Sequence, residues 1–118
     1  MGKIRKFINI LKVEIEDMQE DCEHLIKQSH KKREQGLYTD YVLMENVSVY
    51  RSQIDALTEL VEQIEEEDWS GYNTVEEASN KIAALVPQLI KKGDFPEYTI
   101  DLVSRKMEKI LQFLELSC

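Results

Sequence analysis

The sequence predicts an all-α protein, an antiparallel up-down-up-down four-helix bundle formed by one domain over residues 1–118, with two long helices followed by two shorter ones. Two observations carry this. Apolar residues recur at alternating spacings of four and three along almost the whole chain, the period of helices that each bury one stripe. The interruptions are few and short, and short connections make consecutive helices antiparallel neighbours.

The first helix is expected over about 3–34. Its stripe is Ile4, Ile8, Leu11, Ile15, Met18, Cys22, Leu25 and Ser29. Lys31, Lys32 and Arg33 complement the negative end of the helix dipole, and Gly36 is the stop. The second helix, about 39–68, carries Leu43, Val47, Tyr50, Ile54, Leu57, Val61 and Ile64. It finishes on Glu65, Glu66, Glu67 and Asp68, which its dipole disfavours; Lys3, Arg5 and Lys6 make the opposite misfit at the start of the first helix. An antiparallel hairpin sets these two misfits side by side.

Trp69 to Asn73 reads as a turn. Thr74 and Glu77 have capping-box spacing and open a third helix over about 74–92, with Val75, Ala78, Ile82, Leu85 and Leu89 inward. Pro87 lies inside it and cannot donate to the Ala83 carbonyl, so a kink is expected. Gly93 closes it. Asp94 and Glu97 repeat the capping spacing, Pro96 is tolerated in a first turn, and a fourth helix over about 95–116 carries Ile100, Val103, Met107, Ile110 and Leu114.

Composition excludes several functions. A formal net charge of −8 opposes general nucleic-acid binding, which needs clustered Lys and Arg. Cys22 and Cys118 form neither a disulfide framework nor a zinc spacing, and free thiols suit a reducing cytoplasm. Charges follow the first apolar turns at once, so a signal peptide is not expected. The basic amphipathic turn from Lys3 to Ile8 is too short for stable membrane anchoring. No glycine-rich phosphate loop occurs, and no cofactor is expected. Cys22 lies on the apolar stripe between Asp21 and Glu23, which raise a thiol pKa and argue against a nucleophile.

His24 is the candidate for chemistry. With Asp21, three residues away on the same helix face, it makes a weak metal-ligand pair; a di-metal bundle would need matching motifs on other helices. His24, Ile26, Lys27 and Ser29 also resemble the phosphohistidine motif of histidine phosphotransfer domains over about six residues. The resemblance implies that His24 carries the phosphoryl group and Lys27 helps stabilise it. Gln28 stands where that family normally has glycine. Separately, Trp69-Ser70-Gly71, with Tyr72 and Glu76, resembles the W-x-G turn and export spacing of small type VII secreted helical proteins. The structural alternative for Trp69 is a cap on the bundle's end, its ring packed and its N–H partnered.

The helix lengths suggest where binding occurs. Thirty residues span roughly 45 Å and twenty roughly 30 Å at 1.5 Å per residue. The short pair must pack at the end of the hairpin where the second helix finishes, leaving about residues 22–50 partly uncovered. That stretch holds Leu25, Ile26, Leu37, Tyr38, Tyr41, Val42, Leu43 and Tyr50, the residue types that interfaces use. The expectation is therefore a non-enzymatic helical interaction protein of adaptor, chaperone-like or immunity type, binding a protein partner or a second copy as a homodimer. The competing arrangements fold Gly36 to Tyr41 back over the tip, or let the helices fray.

Overall fold

The computed structural model describes residues 2–116; Cys118, one of the two thiols noted above, lies outside them. Four α-helices follow in order: α1, Gly2–Glu34; α2, Asp40–Glu66; α3, Val75–Gly93; and α4, Tyr98–Leu116. A single 3₁₀ turn, Trp69–Gly71, links α2 to α3. α1 packs along α2 and against α4, α2 against α3, and α3 against α4, so the four form a closed bundle around one core. The expected architecture and element order hold.

The two long helices make the hairpin. Its turn is set by Gly36 at φ 78°, which lets the Leu37 N–H reach the Lys32 carbonyl (2.9 Å) and the Gly36 N–H reach that of Arg33 (3.1 Å). These are the paired bonds of a Schellman ending, and only glycine adopts that backbone without strain. The Thr39 hydroxyl accepts from the Val42 N–H to start α2, and Arg33 pairs with Asp40 across the turn. Lower down, Gln19 donates to Thr58 (2.8 Å) and Lys12 pairs with Glu65 (3.2 Å). The misfit charges at the open end lie close, with Arg5 and Asp68 on one cleft, but Glu65 takes Lys12 while Lys6 sits over the Phe113 ring.

α3 starts at the expected cap, where Thr74 accepts from the Glu77 N–H, but the return bond to Glu77 comes from the Asn73 N–H, one residue before the cap, and not from Thr74 itself. The helix continues through Pro87 to Gly93. Ala83 and Pro87 are both exposed, so the carbonyl that Pro87 leaves unbonded lies on the solvent side. The turn to α4 departs from expectation. Asp94 does not cap α4; it is the left-handed residue (φ 52°) that ends α3, with the Phe95 N–H donating to the Ile90 carbonyl (3.0 Å) and its own to that of Lys91. α4 consequently begins at Tyr98, three residues later than the sequence suggested.

Burial follows the predicted stripes on α1 as far as Cys22, with Ser29 beyond it and Leu25 exposed. On α2 a second stripe joins the first: Gln53, Ala56 and Leu60 are buried alongside Leu57 and Ile64, because α2 faces both α1 and α3. The core gathers Phe7, Leu11, Ile15, Leu57, Leu60, Ile64, Ile82 and Val103 as its most enclosed large side chains. None of the helices described is long and apolar enough to cross a membrane.

Candidate functional site

The helix lengths create a step in the molecule. At one end, Ile4 of α1, Val75 of α3 and Leu114 of α4 line a common cleft. About midway, Cys22 and Leu25 of α1, Tyr50 of α2 and Tyr98 of α4 line a 290 Å³ notch where the short helices stop. From Cys22 in this notch, α1 continues for twelve residues to Glu34, about 18 Å at 1.5 Å per residue. This overhang gives the molecule its 54 Å length against a width of 31 Å.

Its surface carries the apolar side chains anticipated there. Leu37 is 69% exposed and Tyr41 72%; Leu25 and Val42 are 37% exposed. Tyr38 is half-buried beneath the Lys32 ammonium, 5.3 Å from its ring centre, and Ile26 is half-buried within the hairpin. Leu43 and Tyr50 are also half-buried, Leu43 in a groove on α2 and Tyr50 in the notch. The turn does not fold back over these groups: its hydrogen bonds stay within residues 31–45, and Leu37 and Tyr41 project from it.

The structure adds residues that the stripe pattern passed over. Met44 is 70% exposed and Val49 41%. Met44 shares a 540 Å³ open groove with Leu43, Val47, Arg51, Asp55 and, from α1, His30. Neither Met44 nor Val49 falls on the single stripe read along α2, and a helix drawn with one apolar face assigns both to solvent without comment.

Charge is distributed unevenly. Over residues 23–49 Lys27, Lys31, Lys32 and Arg33 balance Glu23, Glu34, Asp40 and Glu45, so the full −8 belongs to the rest of the chain. Both histidines, His24 and His30, also lie on this segment.

The chemical candidates do not converge. Asp21 lines the notch beside Cys22, whereas His24 is exposed and its Nε2 is 3.1 Å from the Gln28 amide nitrogen. Where a phosphotransfer helix would present glycine, the Gln28 side chain reaches the His24 ring. Among the described residues no three His, Cys, Asp or Glu side chains form a metal-sized group. Burial, then the charges of Asp21 and Glu23, push the Cys22 thiol above its ordinary pKa, which suppresses its thiolate. Trp69 is a cap: its Nε1–H donates to the Ile64 carbonyl (3.0 Å) and its ring lies 4.9 Å from that of Tyr72.

No protein-family model, curated protein or solved structure matches this chain. Function must therefore be read from the site. The overhang carries exposed apolar and aromatic groups, Leu37, Tyr41, Val42 and Met44 among them.

Proposed function

We propose that this chain is a non-catalytic helical interaction protein, of adaptor, chaperone-like or immunity type, that docks a protein partner on the overhang of its α1–α2 hairpin. The observation that supports this reading is the step: α3 and α4 stop about 18 Å short, and the projecting segment, which has no net charge, carries Leu37, Tyr41 and Met44, each about 70% exposed. Isolated exposed apolar residues are ordinary, but several large ones on a single rigid projection are what partner surfaces supply. The unpaired, buried Cys22 suits a reducing, cytoplasmic setting.

The test compares wild type with a Leu37→Ser/Tyr41→Ser/Met44→Ser variant and with a Val13→Ser/Phe113→Ser variant, whose changes lie on exposed apolar residues of the bundle body. A partner captured from source cells is identified, purified and titrated calorimetrically. The overhang variant should lose at least tenfold in affinity, roughly 1.4 kcal/mol, and the body variant little. Equal affinity for all three proteins overturns the assignment.

A further inference from the structure

We infer that the occupant of the overhang is a second copy of this chain, docked by a two-fold axis on the face that α3 and α4 leave bare; this rests on the docking reading above and names its partner.

The bare face continues the covered one. On α2 the residues Val42, Asn46, Val49, Gln53, Ala56 and Leu60 follow each other at spacings of four and three, which makes one helical stripe. Its lower half, Gln53, Ala56 and Leu60, is buried in the bundle; its upper half keeps Val42 and Val49 exposed. On α1, Leu11, Met18 and Leu25 are seven residues apart and share a stripe, and only Leu25, in the notch where the short helices stop, is exposed. The hairpin is patterned along its whole length for a second layer of two helices, yet its own second layer covers only the body.

A second copy supplies a layer of the right size. Two overhangs laid face to face and antiparallel restore a four-helix cross-section, each hairpin tip stopping where the other copy's α3 and α4 begin. The overlap is then the overhang's own length. The two bodies lie at opposite ends of the assembly. This matters electrostatically, because each body carries the whole −8 while the overlapping segments are neutral. Body-to-body association brings like charges together, and overhang-to-overhang association does not. Each tip's Lys31 and Lys32 also approach the other copy's α3–α4 corner, where Asp94, Glu97 and Asp101 outnumber Lys91 and Lys92.

Size sets the strength. Two helices about 10 Å wide over about 18 Å give a footprint of roughly 400 Å² on each copy before side-chain relief, at the small end for specific interfaces. The dimer should therefore be weak, with a Kd of roughly 10–100 µM.

Sedimentation equilibrium of the full chain from about 5 to about 500 µM spans that range. Wild type should pass from monomer to dimer. Leu25→Glu and Val49→Glu, exposed in the monomer and so compatible with an unchanged thermal melt, should each raise the dissociation constant at least tenfold, and Phe113→Ser should leave it unchanged. A chain that stays monomeric throughout overturns the second copy as occupant, and the partner titration described above then decides the docking reading separately. A dimer that survives Leu25→Glu and Val49→Glu but is lost with Phe113→Ser overturns it too, by moving the interface to the groove between α1 and α4.

Discussion

Gly93 offers the sharpest test of the packing. It is the last residue of α3, and a Cβ placed on it would lie 2.2 Å from Phe95 Cε2 and within 2.8 Å of two more ring carbons. The ring cannot simply swing away, because Phe95 packs against the core and its N–H is bonded to the Ile90 carbonyl. Displacing a half-buried phenylalanine costs about 1–2 kcal/mol of burial, and loosening that hydrogen bond about 1 kcal/mol more. Alanine's better helix propensity returns up to about 1 kcal/mol. Gly93→Ala should therefore destabilise the protein by about 1–3 kcal/mol in urea unfolding, with an unchanged denaturant slope. In a Phe95→Ala background the clash is gone, and the same change should be neutral or stabilising. The double-mutant cycle thus isolates the ring contact. Equal destabilisation in both backgrounds would refute the steric account.

Four further outcomes follow from single residues. The Thr99 hydroxyl is buried without a protein hydrogen-bond partner; Thr99→Val keeps the shape and should raise stability by about 1 kcal/mol in the same assay. Asp94→Gly should stabilise by about 0.5–1 kcal/mol, because Asp94 alone among non-glycine residues described holds a left-handed backbone. Trp69→Phe keeps most of the ring but loses the bond to the Ile64 carbonyl, and should cost about 1 kcal/mol or more. Because the folded state raises the Cys22 pKa above 9.0, it holds a proton that the unfolded chain releases. The associated stability is complete below that value and is lost as pH rises through and beyond it. Urea midpoints between pH 7 and 10 should fall more steeply for wild type than for Cys22→Ala.

The helices were legible because each carries a strong apolar period and a chemical stop. Gly36 and Thr74 act as read, and α1 and α2 match their expected spans within two residues. What escaped the sequence has physical causes. The second stripe of α2 is built from Gln53, Ala56 and Leu60, and a glutamine and an alanine give too weak an apolar signal to reveal a second neighbour. The spacing of Asp94 to Glu97 suits the start of α4, but the same residue can adopt the left-handed conformation that ends a helix. Local sequence alone does not choose between those roles; the Phe95 ring packed against Gly93 does. At the overhang, the length mismatch pointed to the bare segment and to Leu37 and Tyr41. It did not reveal Val49, whose exposure depends on where α3 and α4 stop, or Met44, which shares an open groove with the exposed Arg51 and Asp55.

Trp69 is the chain's only tryptophan, and it sits beside Ile4 and Ile8 at the end of the bundle remote from the hairpin turn. Fluorescence excited at its red edge therefore reports one pole of an elongated molecule. Far-ultraviolet dichroism counts helical residues at both poles. If the overhang frays before the bundle melts, the two optical signals will separate on heating, and the dichroic amplitude lost early will measure how many residues of the projecting hairpin have come apart. Any ligand that clasps those residues should draw the two curves back together.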